Sequence, residues 1–461
     1  MPLEILARPR YAATLLLVLA ILQTVYNAGL PLHGDEAYYW VWSRHPALSY
    51  FDHPPMIAWL LALTTLPVVS EWSVRLVPVL CLSLATWLIY RLAREVYGKH
   101  AAAVALLMFT VLPITQMGTL VATPDAPVIL FWTLALFAAY RAVFDGGTVW
   151  FMTAGAAIGL ALLSKYTAVL FPASLLAFLL LRRPGLLLQG RAWLALLTAL
   201  LVFSPVVIWN WQHDWISFGF QYAHGEGDGA IRWRGWFEFI GGSFMAYSPV
   251  LFAVALAAAL NFRRLRDERQ LFLAIFFLLP MTFFLYKGLY KGMGLHWVAV
   301  AYPSLTVLAA GLIAERRLWK TLAVGLAVAV LLSLLIKFPA TMGLPPKLNI
   351  QQRLAGYREA CLEMVKLRQP GEVLYADHLT TASLLSFYAP DHPDVRIPTP
   401  TRFSQYDLWG LNAIPHPPAG LYLSMEDHDA DLARVFGRVD LLAVMPVKDL
   451  DKRFKLYRCR P

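Results

Sequence analysis

The chain has 461 residues, of which 59% are hydrophobic and only 15% are charged, and its mean hydropathy is +0.56. A soluble protein is roughly half apolar and about a quarter charged, so this composition excludes an ordinary soluble domain and indicates a polytopic α-helical membrane protein. The net charge of +10 would suggest a nucleic-acid partner in a soluble protein. Basic cytoplasmic loops explain it here, and we expect no nucleic-acid binding.

Apolar stretches recur along most of the chain, and many are long enough to cross a bilayer, which takes roughly 17–25 residues. No small-residue cleavage site follows the first stretch, so we interpret it as a retained helix rather than a signal peptide. We predict about eleven spans, at approximately residues 11–30, 74–91, 101–119, 126–144, 150–164, 166–182, 192–211, 236–260, 271–286, 296–314 and 320–338.

Lysine and arginine are concentrated in alternate loops, which the positive-inside rule places in the cytoplasm together with the N-terminus. An odd number of spans then leaves the C-terminal segment outside. The unusual polar clusters also fall outside, in the loops 31–73, 119–126, 212–235 and 287–296 and in the turn around Lys165. Clustering on one face is expected of a single active site, so we predict a catalytic membrane domain at residues 1–338.

The C-terminal segment, residues 339–461, is richer in charge and proline. Its pattern predicts strands at 373–375, 421–423 and 441–444 and helices at 353–367 and 429–436. We therefore expect a small α/β domain outside the membrane. Cys361 and Cys459 both belong to it, and a disulfide between them stays an open alternative.

The first outer loop places acids and aromatics directly after the first apolar run. Asp35 and Glu36 lie at this boundary, where a charged carboxylate beside the hydrocarbon of the bilayer is energetically unfavourable. Acids at such a position usually have a function, so both are candidate catalytic groups, for example as a general base. The alternative is a helix cap, which Gly34 would permit. The neighbouring aromatic residues are candidate substrate contacts: Tyr38, Tyr39 and Trp40.

Asp52 and His53 stand before two prolines, which fix the backbone into a rigid turn. Asp52 is a candidate substrate contact. His53 can donate to a phosphate, and a divalent ion held by Asp52 and His53 is a further alternative. Alternatively, Asp52 and His53 only form a surface turn at the start of a helix and have no role in binding.

The later outer loops add one acid and several cations. Asp125, between two prolines, is either a third catalytic acid or a helix cap. Lysines are rare on this face and suit phosphate, although Lys165 could also extend its ammonium to the membrane interface. The candidates for binding a donor phosphate are His53, Lys165, Lys287, Lys291 and His296, and the remaining substrate-contact candidates are Tyr166, Trp297 and Tyr302. The 212–235 loop fits a lid, an acceptor-binding loop or a set of interface anchors.

These clusters together indicate a reaction between a lipid phosphate and a second acceptor. An acid would deprotonate the acceptor hydroxyl, and cations would stabilise the leaving phosphate. No glycine-rich nucleotide fingerprint is present, so a soluble nucleotide-sugar donor is not supported.

Five motifs carry a resemblance to a known family: Gly34–Trp40, Tyr50–Trp59, Thr123–Pro127, Leu163–Tyr166 and His296–Pro303. The chain resembles the bacterial protein-mannosyltransferase-like membrane glycosyltransferases of the GT-C fold, which include the lipid A aminoarabinose, galacturonosyl and galactosamine transferases. The resemblance covers about residues 10–340. It implies that Asp35 is the essential base, with Glu36 as its neighbour, and that Asp125 is the acid of the second outer loop. In the aminoarabinose transferase a lysine precedes the proline pair, whereas His53 stands here.

The resemblance further implies an inverting transfer of a sugar from a polyprenyl (undecaprenyl) phosphate donor to an acceptor on the periplasmic face of a bacterial inner membrane. We expect lipid A, within lipopolysaccharide, as the acceptor, with protein or another envelope glycan as the alternative. A transporter or flippase of lipid-linked substrates is a second alternative, but it should show internal repeats and polar helices near the bilayer midplane. We expect a monomer and no certain cofactor.

Overall fold

The computed structural model describes residues 2–461 except 228, 262, 340, 342–353, 400–401, 413–416, 426–428, 448–449 and 451. The chain divides into two compact units. The first contains residues 1–27, 53–57 and 75–338, and the second contains residues 28–52, 58–74 and 339–461. The predicted division at residue 338 therefore stays a prediction, because two segments of the first outer loop share a unit with the C-terminal part.

The first unit is helical. Its α-helices are Pro2–Leu6, Pro9–Ala28, Glu71–Tyr97, Lys99–Val111, Pro113–Gly118, Asp125–Phe144, Thr148–Ser164, Leu170–Arg182, Gly190–Gln212, Ile216–Gly225, Trp233–Tyr247, Pro249–Ala259, Glu268–Gly288, Tyr302–Arg316 and Trp319–Lys337, the first four residues of Glu71–Tyr97 being assigned to the second unit. Short 3₁₀ turns lie at Tyr166–Val169, Pro184–Leu188, Arg264–Arg266 and Trp297–Ala301.

Among the described residues, seven helices are long and apolar enough to cross a membrane, and eight if one bent pair counts as a span. The protein is thus a multi-pass helical membrane protein, as predicted, although fewer helices than eleven meet this length. The helices Thr148–Ser164 and Tyr166–Arg182, predicted as two spans, are apolar but shorter than the others.

Two predicted spans are interrupted at prolines. The stretch 236–260 breaks at Ser248, and its two halves meet at a bend of 100°. The stretch 101–119 breaks at Leu112, which is extended with ψ 133°. Each break immediately precedes a proline, Pro249 or Pro113, and the proline ring disfavours a helical conformation of the residue before it. Both stretches are therefore broken helices, and the count of eleven spans stays a prediction.

Close packing of helices holds the first unit together. A Cβ on Gly155 would lie 2.1 Å from the carbonyl oxygen of Ala195, so this glycine allows the helices Thr148–Ser164 and Gly190–Gln212 to touch backbone to backbone. Elsewhere the core is aromatic, with the Trp132 ring centroid 5.0 Å from that of Phe171.

The second unit combines helices with one sheet. Its helices are Gly34–Arg44, Met56–Thr65 (whose first two residues belong to the first unit), Tyr357–Leu367, Leu379–Tyr388, Gln405–Leu408 and Asp429–Val435. The strands are β1 (Val373–Ala376), β2 (Gly420–Ser424), β3 (Arg438–Pro446) and β4 (Arg453–Arg460), in the order β1-β2-β4-β3.

The sheet contains the three predicted strands and one that the pattern did not predict. β1 and β2 are parallel, with Val373 opposite Gly420, and the other pairs are antiparallel. The unpredicted strand is β4, whose four Lys and Arg residues obscure its alternation. All three cysteines lie in the described part of the chain and carry free thiols, so Cys361 and Cys459 do not form a disulfide here.

Candidate active site

A capping box fixes the start of the Gly34–Arg44 helix in the second unit. The His33 Nδ1 accepts from the Asp35 amide at 3.2 Å, and the Glu36 Oε2 accepts from the His33 amide at 2.8 Å. Glu36 is fully buried in this role. The Asp35 side chain is 55% exposed, with its carboxylate 3.6 Å from His33. The two adjacent acids therefore differ: Glu36 holds the helix start, and Asp35 is accessible to a substrate.

Gly34 lets this helix start approach a second helix closely. A Cβ at Gly34 would lie 2.2 Å from the Cγ2 of Thr380, in the Leu379–Tyr388 helix of the same unit. Any larger residue would therefore push the Asp35 backbone away from its place.

Asp52 lies in a buried hydrogen-bond network. The Tyr38 hydroxyl donates to one carboxylate oxygen at 2.7 Å, Arg402 donates to the other at 3.3 Å, and the Gln405 amide donates to the Tyr38 oxygen at 3.0 Å. Burial raises the pKa of Asp52, and the charge of Asp35 raises it further, while the Tyr38 hydrogen bond and the Arg402 charge lower it. The sequence analysis missed Arg402, which belongs to no recognisable motif.

The same network determines the state of Tyr38. Burial and the adjacent Asp52 carboxylate hold the pKa of Tyr38 well above its usual range, so its hydroxyl stays protonated and donates. Tyr38 is only 3% exposed. Tyr38 and Asp52 therefore bind one another, and neither presents an open contact surface to a substrate.

Trp40 and Tyr39 are also buried. Trp40 packs with ring centroids 5.1 Å from both Phe387 and His392, in the second unit, and Tyr39 lies 5.0 Å from Trp42. Because its ring is covered, Trp40 is a core residue, and we do not carry its predicted substrate contact into the proposal below. The sequence pattern around Trp40 could not distinguish an aromatic side chain in the core from one that faces a ligand.

Asp125 and Lys165 form an ion pair in the first unit. The Lys165 Nζ lies 2.7 Å from Asp125 Oδ1, and their side chains are only 10% and 15% exposed. Asp125 begins the Asp125–Phe144 helix, and Lys165 is the extended residue that ends the Thr148–Ser164 helix. An ammonium group has three protons to donate, so Lys165 can bind a second anion while it is paired with Asp125.

Three imidazoles lie close enough to this ion pair, or to one another, to interact electrostatically. Burial and the Lys165 charge lower the pKa of His53 to about 3, with smaller contributions in the same direction from His224 and His296, whereas the Asp125 charge opposes them. His53 is thus neutral at physiological pH and can still donate one N–H bond. We call Asp125, Lys165, His53, His224 and His296 the Lys165 cluster. His224 was not among the predicted phosphate ligands, and its only signal was its place in the aromatic 212–235 loop.

The aromatic candidates of the first unit lie beside this cluster or in the core. Trp297 has its ring 5.9 Å from that of His224, and Tyr166 hydrogen-bonds Ser217 at 2.9 Å. Tyr302 is fully buried, with its ring 5.1 Å from that of Tyr247. Much of the 212–235 loop is a helix, Ile216–Gly225, rather than irregular chain.

Lys287 and Lys291 are near one another at the end of the Glu268–Gly288 helix. Partial burial and the charge of Lys287 lower the pKa of Lys291. Two like charges held together are stabilised when an anion binds between them. The arrangement fits phosphate binding, which stays a prediction for these two residues.

The described residues do not provide a complete set of ligands for a metal ion. No three His, Cys, Asp or Glu side chains within them group so as to hold an ion. Asp52 accepts from Tyr38 and Arg402, and Asp125 accepts from Lys165. We therefore derive no step of the reaction through a metal at Asp52 and His53.

Comparison with known proteins gives three similarities. Residues 52–209 match the model of the dolichyl-phosphate-mannose-protein mannosyltransferase family. Lipid A galacturonosyltransferase RgtD of Rhizobium johnstonii is 27% identical over 345 residues, which are 72% of this chain and 72% of that protein. The crystal structure of ArnT from Cupriavidus metallidurans bound to undecaprenyl phosphate aligns with a TM-score of 0.71 at 15% identity, over 96% of this chain and 97% of that one. The resemblance to the GT-C membrane glycosyltransferases is confirmed.

A further relative matches over only part of its length. The undecaprenyl phosphate-alpha-4-amino-4-deoxy-L-arabinose arabinosyl transferase 1 of Pseudomonas fluorescens is 28% identical over 272 residues, which are 53% of this chain and 46% of that protein. The similarity to ArnT, at low identity, establishes the fold alone.

Proposed function

We propose that the protein is an inverting glycosyltransferase that moves a sugar from undecaprenyl phosphate to lipid A. The relatives named above support the reaction class, and RgtD, which matches over most of its length, supports the acceptor. Protein or another envelope glycan is the alternative acceptor for the same chemistry.

The Lys165 cluster is the observation that carries the proposal. The Lys165 ammonium and the imidazoles of His53, His224 and His296 converge, and one carboxylate, Asp125, accompanies them. A buried ammonium with several N–H donors beside it favours a bound anion. The donor phosphodiester carries one negative charge, and a second develops as the bond between the sugar and the phosphate breaks. The cluster would bind the donor phosphate and stabilise it as it leaves.

Asp35 is the general base of this proposal. It would take the proton of the acceptor hydroxyl, whose oxygen forms the new bond to the anomeric carbon. The bond from that carbon to the phosphate oxygen breaks, and its electron pair leaves with undecaprenyl phosphate. Asp125 is the weaker candidate, because a carboxylate paired with a lysine is a poor base. Its role is to position Lys165.

The topology completes the proposal. With eleven spans and a cytoplasmic N-terminus, the polar loops and the 339–461 α/β domain face the periplasm of the inner membrane, where lipid-linked donors are used. The shorter helices, such as Thr148–Ser164, would then cross a locally thinned bilayer. We propose that the protein acts as a monomer.

Reconstitution tests the function. The purified protein in proteoliposomes, given an undecaprenyl-phosphate-linked sugar and lipid A, should form glycosylated lipid A detectable by mass spectrometry, and Asp35→Asn should form none. Movement of the donor lipid between leaflets without any glycosylated product would instead favour a flippase.

A further inference from the structure

Arg402 lies near the helix face that carries Asp35. Asp35 and Tyr38 are three residues apart in the Gly34–Arg44 helix, so they lie on the same face, with Cβ atoms about 5–6 Å apart. The Tyr38 hydroxyl donates to Asp52 at 2.7 Å, and Arg402 donates to the other oxygen of that carboxylate at 3.3 Å. All four residues belong to the second unit. A short chain of contacts therefore places a guanidinium group close to the proposed base.

The backbone around Arg402 is anchored on the same network. The Gln405 amide donates to the Tyr38 oxygen at 3.0 Å, and the Phe51 amide donates to the Gln405 side-chain oxygen at 2.8 Å. The Phe403 ring packs on that of Phe51, with centroids 4.9 Å apart. These contacts fix the segment that carries the guanidinium group before any substrate binds.

The guanidinium group of Arg402 has hydrogen-bond donors to spare. Its side chain is 44% exposed, and Asp52 is its only hydrogen-bond or ion-pair partner among the described residues. Arg458, in the same unit, is 16% exposed and donates to Glu372 and to the Leu367 carbonyl oxygen, each at 2.8 Å. A guanidinium has five N–H groups, so Arg402 can donate one to Asp52 and others to an anion that arrives from solvent.

The position of Arg402 indicates which substrate group it meets. The inference rests on the proposed function, in which Asp35 takes the proton of the acceptor hydroxyl, so a group near Asp35 is a group of the acceptor. Lipid A carries phosphate. An acceptor phosphate and the Asp35 carboxylate repel one another, and a cation near both offsets that repulsion. Arginine suits this task because its planar fork binds two phosphate oxygens at once.

We propose that Arg402 binds a phosphate group of the acceptor and thereby holds the acceptor hydroxyl at Asp35. It is a substrate-binding residue of the same reaction and takes no proton itself. A carboxylate on the transferred sugar would offer similar chemistry, but it would make Arg402 control the binding of the donor instead of the acceptor.

Acceptor binding in the absence of a donor tests the proposal, because it requires no turnover. The probes are lipid A with its phosphates and lipid A from which the phosphates have been removed, each titrated against the full-length protein in a neutral detergent. The wild type should bind the phosphorylated form about tenfold more tightly, since a charge-assisted hydrogen bond is at stake. Arg402→Gln should bind both forms alike.

Arg460→Gln is the matched control. This arginine belongs to the same unit, is 48% exposed and also lies near one carboxylate, that of Asp440, at 3.5 Å. Its loss removes the same charge from a comparable surface position. The variant should prefer phosphorylated lipid A as the wild type does, and loss of the preference in both variants would overturn the proposal.

A double variant separates acceptor binding from the support that Arg402 gives to Asp52. Asp52→Asn/Arg402→Gln has no buried carboxylate to pair, so its fold does not require the guanidinium group. It should still bind the two forms of lipid A alike. Recovery of the wild-type preference in this variant would overturn the proposal, because Arg402 would then act only through Asp52.

Steady-state kinetics distinguish the acceptor from the donor. Arg402→Gln should raise the KM for lipid A about tenfold and leave the KM for the undecaprenyl-phosphate-linked sugar unchanged. A raised KM for the donor alone would overturn the proposal. Equal wild-type affinity for both forms of lipid A would also overturn it while the transferase stands, whereas a wild type that binds neither form would overturn the proposed acceptor as well.

Discussion

Lys165 donates a hydrogen bond to Asp125 across 2.7 Å, and the two residues come from different helices of the first unit. The pair unites a predicted phosphate ligand with a predicted catalytic acid. It explains how a lysine can be buried here, because the attraction of the Asp125 carboxylate offsets the free-energy cost of desolvating the ammonium group. It also makes Asp125 a poorer base than an unpaired carboxylate, because the lysine stabilises the charged form.

Removing one partner of this ion pair should cost stability, and removing both should not. Lys165→Met leaves Asp125 buried without its cation and should lower the free energy of unfolding by about 3 kcal/mol. The double variant Lys165→Met/Asp125→Asn should regain most of that loss. Thermal unfolding in detergent measures both values.

Donor binding separates the two functions of Lys165. In the restored double variant, the affinity for undecaprenyl phosphate should still be about tenfold weaker, because the ammonium is gone. Titration of the lipid against the purified variants measures this. Wild-type affinity in the double variant would mean that Lys165 serves the fold only.

The two neighbouring acids should respond in opposite ways. Glu36→Ala removes half of a capping box, so it should lower the free energy of unfolding by about 1–2 kcal/mol and leave sugar transfer measurable. Asp35→Ala should leave the unfolding temperature close to that of the wild type and abolish transfer. If fully folded Glu36→Ala failed to transfer sugar, Glu36 would take part in the chemistry, and the division of roles between the two acids would be wrong.

Arg402 should stabilise the charged form of Asp52. Burial already raises the pKa of Asp52, and Arg402→Met should raise it further, so the variant should be less stable than the wild type above this pKa. As the pH falls, Asp52 becomes protonated and no longer needs a cation, so the difference should shrink. Unfolding temperatures at several pH values test this. The same series on Asp52→Asn and Asp52→Asn/Arg402→Met should show a difference that does not vary with pH.

His53 should make the protein acid-sensitive. Its pKa is lowered to about 3 in the folded state, against about 6.5 in an unfolded chain. Between these values the unfolded chain binds a proton that the folded protein does not, so stability falls as the pH drops through this window. His53→Gln should therefore lose less stability than the wild type between pH 7 and about pH 4.5. Parallel pH profiles of the two proteins would contradict the low pKa.

The sequence predicted which loops carry the chemistry better than which residues contact one another. Acids and lysines beside apolar runs are conspicuous, so Asp35, Asp125 and Lys165 could be selected as candidates. The pairing of Lys165 with Asp125 spans 40 residues and depends on how two helices pack, which periodicity does not specify. Arg402 was missed for the same reason, because only the folded second unit brings it to Asp52.

Helix continuity and aromatic roles were also beyond the sequence pattern. Hydropathy treats 236–260 as one run, whereas Pro249 imposes a bend of 100° at Ser248. Trp40 stands among conspicuous polar residues, yet it packs on Phe387 and His392. Hydropathy measures composition along the chain and is insensitive to both a single backbone break and the direction of a side chain.

Mass spectrometry of lipid A tests the central claim most directly. Cells that make the wild-type protein should carry lipid A with one additional sugar-sized mass. Cells that lack the protein, and cells that make Asp35→Asn at wild-type abundance, should both lose that mass. Lipid A that is identical in all three strains would contradict the proposed acceptor, and an unchanged sugar in the Asp35→Asn strain would contradict Asp35 as the base.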